Sequence, residues 1–222
     1  MIKMKTKTII ITSVIFLIAA IYIVIRISQQ SDINSNNTTN KMETKIIEKP
    51  EMSIVGITLK TSFKDDRNKT EIPPFFHNVL EEGKLEQIPD RLNTNQLCVF
   101  EMKKDNPDFN YTMGVEVSKT DNAPHEMTKL TLPAGKYVAI KIIKRGPEDV
   151  GQAFGYIYKE YIPNSIYIPT GEPAFIYYDD EFFNIYNEKG YAGNPLATVY
   201  VPVKPLFIKQ ALNFLGIKKL NK

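Results

Sequence analysis

The sequence predicts an α+β domain: an antiparallel sheet with two helices on one face, made from a duplicated β-α-β-β unit and preceded by one N-terminal transmembrane helix. Three observations lead there. The run TLPAGKYVAIKIIKRGPEDVGQAFGYIYKEYIPNS (131–165) reads as a strand, a tight turn and an amphipathic helix, a combination that is stable only when the helix packs on a sheet. The order strand, helix, strand, strand occurs at 53–118 and again at 136–203, although the halves share no close motif. Finally, Thr8 to Ile25 contains no charged residue.

That last run is long enough to cross a bilayer. Eighteen residues at ~1.5 Å rise span ~27 Å, near the ~30 Å of a hydrocarbon core. It ends Ile21-Tyr22-Ile23-Val24-Ile25, bulky at every position where a signal peptidase would need small residues. Residues 1–27 therefore read as an uncleaved anchor. Lys3, Lys5 and Lys7 outnumber Arg26 beside it, which places the N-terminus in the cytoplasm and the domain on the far side. Residues 28–51 follow as a polar spacer rich in Asn, Ser, Gln and Thr, with too little to bury to fold alone.

The folded domain is expected over 52–204. Ile54 to Leu59 is its first strand, and Lys64 to Lys69 a charged loop. Pro73-Pro74 then opens a helix over 73–82 that carries Phe75, Phe76, Val79 and Leu80. Leu97–Lys103 and Asn110–Ser118 form a hairpin across Lys104 to Asp108. Lys136–Ile143 is β-branched and strand-like. Pro147 starts the second helix, 147–161, with Glu148 and Asp149 in the first turn, where carboxylates suit the dipole. Val150, Phe154, Ile157, Tyr158 and Tyr161 share one stripe, and Pro163 ends it. Ala174–Tyr178 and Leu196–Val203 are strands separated by a long acidic, Asn- and Gly-containing loop. The tail, 205–222, is basic and amphipathic. It reads either as a helix docked on the domain or as one lying on the bilayer.

Composition narrows the function classes. The formal charge of +3 gathers largely at the two ends, and the centre alternates in sign, so no nucleic-acid face is expected. One cysteine permits no internal disulfide, and two histidines beside it make a metal site or cofactor ligation improbable on residue supply. Cys98 lies in the apolar run Gln96 to Phe100 and reads as a buried, inert thiol. His77 and His125 read as surface or capping residues. No nucleophile elbow or phosphate loop occurs.

The run HEMTKLTLPAGKYVAIKIIKRGPEDVGQAFGYIYKEYIPNS, the segment GEPAFIYYDD and the closing ATVYVPVK resemble the GyrI-like family, the AraC-type effector-binding domain also found at the C-terminus of multidrug-sensing regulators. The resemblance covers roughly 52–204. It implies two β-α-β-β units about a pseudo-twofold axis with a ligand cleft between them, and a small organic ligand as partner. In the multidrug-sensing relatives an acid in an aromatic pocket neutralises a cationic ligand.

Glu116 is the best candidate for that acid. On its strand Thr112, Gly114 and Glu116 share one face, and Tyr111, Met113, Val115 and Val117 the other. Some relatives carry an acid within the final strand, where this chain has Ala197-Thr198-Val199-Tyr200. That departure counts against cation selectivity and against the hydrolysis some members perform. The chain is rich in aromatic rings, with twelve Tyr and twelve Phe. Candidates to line the cleft with Glu116 are Tyr111, Tyr137, Phe154, Tyr158, Phe175, Tyr177 and Tyr200, with Phe100 and Tyr178 beside them. The expected function is a membrane-tethered, non-enzymatic binding module for small amphipathic or cationic molecules. The alternatives are a hydrolase of a reactive small molecule using Glu116 as general base, and a protein–protein inhibitory module.

Overall fold

The computed structural model describes residues 42–206. Nine strands, β1 (Thr44–Lys49), β2 (Met52–Ser62), β3 (Gln96–Met102), β4 (Asp108–Val117), β5 (Thr128–Leu132), β6 (Gly135–Ile143), β7 (Tyr167–Pro169), β8 (Ala174–Tyr178) and β9 (Leu196–Pro205), form one sheet. Its order is β1-β6-β9-β8-β3-β4-β2-β5, with β7 beside β9, and its pairings are antiparallel. Three helices accompany it: α1 (Arg67–Glu81), α2 (Pro147–Tyr156, extended by a π-helical turn Ile157–Tyr161) and α3 (Asp180–Lys189). The chain is α+β. β2-α1-β3-β4 and β6-α2-β8-β9 have the same element order, and from the central β8–β3 pair outward the strands of both halves occur in the same sequence.

Alternation along the strands sorts side chains onto two faces. The helix-covered face holds the larger core, in which Val55, Cys98, Tyr111, Met113, Val138, Ile140, Ile176, Tyr178 and Val199 meet Phe76 and Val79 of α1, Ala153 of α2 and Phe182 of α3. The opposite face holds a second buried cluster of Met52, Ile54, Leu97, Val99, Leu132, Tyr137 and Phe175. A sheet face with no helix over it buries such residues only by curling around them.

The connections enforce that curl. Lys49 pairs with Gly135 and Met52 with Leu132, in one unbroken register, so Pro50-Glu51 stands opposite Pro133-Ala134. β1-β2 and β5-β6 are thus a single two-stranded ribbon. β1 and β2 lie six places apart in the sheet, which would separate them by ~29 Å in a flat sheet. Three residues of chain reach only about 11 Å, so the sheet bends until its edges meet at the ribbon. Gly56 and Gly114, paired across β2 and β4, permit the close approach. A Cβ on Gly56 would lie 2.2 Å from the Met113 carbonyl oxygen, and one on Gly114 2.6 Å from that of Val55.

Several expectations need correction. The spacer expected to run to residue 51 gives way to β1 at Thr44. TKIIEK is half charged, yet Ile46 reaches the larger core and Ile47 the second cluster, and charges elsewhere suit an edge strand. α1 starts at Arg67, six residues before Pro73, and both prolines lie inside it. Its extra turn is held by Arg67, whose Nε and Nη2 donate to Glu71 at 3.0 and 3.2 Å, and by the Thr61 hydroxyl donating to the same carboxylate at 2.7 Å. The acidic loop after β8 contains α3, whose N-terminus is capped by Asp179 accepting from the Phe182 N–H at 2.9 Å. Among the described residues there are accordingly three α-helices where two were expected. β5 and β7 are additional strands. No helix among the described residues is long and apolar enough to cross a membrane. The expected anchor over 1–27 lies outside the described residues, as does most of the 205–222 tail.

Candidate functional site

Four aromatic residues from neighbouring strands converge on the helix-free face, the inner face of the curl: Tyr137 of β6, Phe175 and Tyr177 of β8, and Tyr200 of β9. They share it because 175 and 177 alternate with the core-facing Ala174, Ile176 and Tyr178, and Tyr200 is the register partner of Phe175. The Phe175 and Tyr200 rings stack with centroids 4.7 Å apart. Tyr137 meets Phe175 edge-on at 5.6 Å, and Tyr177 meets Tyr200 edge-on at 6.4 Å. The Tyr137 hydroxyl donates to the Pro133 carbonyl at 2.6 Å, tying the ring to the corner of the ribbon. The Asn95 amide donates to the Tyr177 hydroxyl.

A cation already sits on these rings. The ammonium of Lys49, at the end of β1, lies 4.6 Å from the Tyr200 centroid, 5.3 Å from Tyr177 and 5.9 Å from Phe175. Burial pulls its pKa below the usual lysine range, while the charge of Glu116 pushes it back up. Glu116, partly exposed on β4 opposite Ile54, is on the same face. The Tyr177 phenol is raised by burial first and by Glu116 second, and that of Tyr200 chiefly by burial. The site therefore combines stacked ring faces, an ammonium and a carboxylate within electrostatic reach.

Of the eight residues singled out from sequence, Glu116, Tyr137, Phe175, Tyr177 and Tyr200 share this face. Tyr111, Phe154 and Tyr158 lie behind the sheet. Tyr111 is buried edge-on to Phe100 and Phe75, and Phe154 packs between Phe100 and the partly exposed Tyr158. Sequence reasoning missed Lys49, which fell within the expected spacer. The available signal was the alternation of Ile47 and Lys49 against Ile46 and Glu48 ahead of Pro50.

The helix-covered face holds a second lysine among rings. The Lys144 side chain is 6 % exposed as a residue, and its ammonium donates to the Tyr178 hydroxyl at 2.9 Å. It lies 4.5 Å from the Phe76 centroid, 4.7 Å from Tyr178, 5.6 Å from Tyr191 and 5.8 Å from Phe182. Burial lowers its pKa to about 8. Nearby Cys98 is fully buried, and burial pushes its thiol up to about 11, so it is no nucleophile. His77 and His125 are exposed, His77 lying 3.5 Å from Glu81. No cluster of three His, Cys, Asp or Glu able to hold a metal occurs among the described residues. One open depression, of about 280 Å³ between the Pro133–Tyr137 corner and Pro202–Lys204, shares Tyr137 with the ring site, and another, of about 470 Å³ around Lys60, Arg67 and Asp108, shares no residue with it.

No curated protein matches the chain in sequence. Among solved structures the fold is similar to that of SAV2435 bound to tetraphenylphosphonium, at 17% identity and TM-score 0.59, covering 73% of this chain and 94% of that one. A putative bacterial transcription regulation protein from Staphylococcus aureus MU50 is similar at 17% identity and TM-score 0.55, with 74% and 99% covered. The EcmrR C-terminal domain follows at 16% identity and TM-score 0.51, with 74% and 98% covered. Residues 45–203, from β1 through most of β9, match the Cass2 family of integron-associated effector binding proteins, and the chain belongs to that family, with the GyrI-like effector-binding fold that its sequence resembles.

Proposed function

We propose that this chain binds a small amphipathic organic cation on the inner face, against Tyr137, Phe175, Tyr177 and Tyr200, with Glu116 as the counter-charge, and does not transform it. The two β-α-β-β units would frame that site as a pseudo-twofold cleft, with Tyr111, Phe154 and Tyr158 supporting the sheet from behind. The observation that carries this reading is the Lys49 ammonium seated over three ring faces. Each ring face attracts a cation by ~0.5–2 kcal/mol, so a face that holds one ammonium has the chemistry to hold another. The tetraphenylphosphonium bound to the structurally similar SAV2435 supports the ligand class. Titrating the full chain calorimetrically with lipophilic cations, with the ligands then analysed for breakdown, tests the proposal. Saturable binding with intact ligand is expected. Turnover would favour hydrolysis through Glu116, and an inert protein would favour a protein–protein role.

We further infer that residues 1–27 hold this domain at a membrane, outside the cytoplasm, on the strength of the uncharged run from Thr8 to Ile25 and the lysines before it. The full chain should resist alkaline carbonate extraction, and deletion of 1–27 should release it. Protease added outside spheroplasts should digest the domain, and full protection would reverse the orientation.

A further inference from the structure

Lys49 is built to reach the ring site and is weakly held there. Its neighbour Glu48 points away and pairs with Lys136, so strand alternation sends Lys49 to the inner face. Its register partner is Gly135, where an added Cβ would meet nothing within 4 Å, so the space beside this strand end is open. The ammonium then meets rings at 4.6, 5.3 and 5.9 Å. The carboxylate of Glu116 acts on it through space, and no ion pair within 4 Å is found for it among the described residues. Elsewhere lysines contact carboxylates directly, as Lys45 does Glu43 at 2.8 Å and Lys69 does Asp66 at 2.9 Å. Lys49 thus occupies the position that a cationic headgroup would take. It lies at the strand end beside Pro50, on a flexible stem, where withdrawal to solvent breaks no backbone bond.

We propose that Lys49 is a tethered internal competitor for the aromatic site, which an external organic cation must displace. This rests on the reading of the inner face as a ligand site. The consequence concerns selectivity. A hydrophilic ammonium offers no more than Lys49 already does and fails to enter. A lipophilic cation adds ring-on-ring contact with Phe175, Tyr177 and Tyr200, and wins. The internal lysine thereby filters small polar amines from bulky apolar cations.

The test uses two ions of one shape and opposite charge, tetraphenylphosphonium and tetraphenylborate, with the full-length chain. Lys49→Met keeps the stem and removes the charge, Lys49→Gln is a second neutral variant, and Lys49→Arg keeps the charge. Both neutral variants should bind the phosphonium about tenfold more tightly than wild type, with Lys49→Arg near wild type. In the unmodified protein, saturating phosphonium should speed acylation of the Lys49 amine, read by peptide mass spectrometry, because the displaced ammonium enters water. Equal phosphonium affinity in wild type and both neutral variants overturns the competitor and leaves the binding site standing. Borate binding by wild type that is lost in Lys49→Met overturns it too, and makes Lys49 the partner of an anionic ligand. Binding of neither ion by any of the proteins overturns the site and the competitor together.

Discussion

Two lysines hold their ammonium groups over aromatic rings, one on each face of the same sheet, and their settings differ in what each can release. Lys144 is sealed beneath α1, α3 and Tyr191, hydrogen-bonded to Tyr178, with burial drawing its pKa down to about 8. Lys49 is half-buried at a strand end, with a carboxylate acting at a distance and no ring above it from a helix. A buried cation on the covered face is a structural commitment: moving it means opening the core. A cation on the curled, helix-free face is exchangeable. Aromatic rings around a lysine are therefore no sign of a site by themselves, and the sign is that the cation can leave.

The largest expected effect comes from a substitution between β2 and β4 that starts on the inner face. Gly56→Ala places a Cβ against the Met113 carbonyl, where 2.2 Å is far inside contact, and backbone oxygens cannot swing away. The cost should be about 3 kcal/mol, lowering Tm by roughly 6–12 °C for a domain of this size. Phosphonium binding should fall with it as the curl opens. A variant with wild-type Tm would mean that β2 and β4 separate freely, contrary to the ribbon argument.

Next comes the covered lysine. With a folded pKa near 8 against an unfolded value of ~10.4, the unfolded chain binds more protons between those limits. Wild-type stability at this residue is therefore penalised in full below about pH 8 and recovers as pH rises toward 10.5. Lys144→Met removes the penalty and also the attraction to four rings, so a net gain of about 1–3 kcal/mol is expected at pH 7. The gap between the two proteins should narrow by pH 10.5, and both are compared in a Cys98→Ala background because the Lys144 charge also acts on the buried thiol. Thermal melts across that range check it, and a gap independent of pH would show that Lys144 is not the titrating group. Phosphonium affinity should not move, in contrast to Lys49→Met.

Much of this contrast was legible in the chain, but unevenly. Period-two alternation separates Thr112, Gly114 and Glu116 from Tyr111, Met113, Val115 and Val117, and the structure puts the second set in the larger core. The same alternation separates Phe175 and Tyr177 from Tyr178. Residue type, by contrast, grouped Tyr111, Phe154 and Tyr158 with them, since a ring looks the same whichever side of a sheet it faces. α3 was hidden because Phe182, Phe183, Ile185 and Tyr186 sit at helical spacing inside an acidic segment whose composition reads as loop. Lys49 was hidden for a deeper reason. β1 has only Ile46 and Ile47 as apolar content, and its place is set by pairing with β6, some ninety residues on. Long-range pairing leaves little trace in local composition. The curl itself follows from two short turns, at Pro50 and Pro133, standing opposite each other in one register, and the expected spacer ended beyond the first of them.

The smallest expected effect is the most informative, because it asks whether the carboxylate and the internal cation are coupled. Glu116→Gln keeps shape and removes charge. If Glu116 only attracted ligand, its loss would cost the same with or without Lys49. If it also steadies Lys49, the same substitution loosens the competitor, and part of the loss is returned. Glu116→Gln should therefore weaken phosphonium binding about tenfold in the Lys49→Met background, or ~1.4 kcal/mol, but only about threefold in wild type. The difference is the coupling free energy of a double-mutant cycle, roughly 0.7 kcal/mol, resolvable by calorimetry when all four proteins melt alike. Identical losses in both backgrounds would uncouple Glu116 from Lys49, and no loss in either would return Glu116 to the solvated rim.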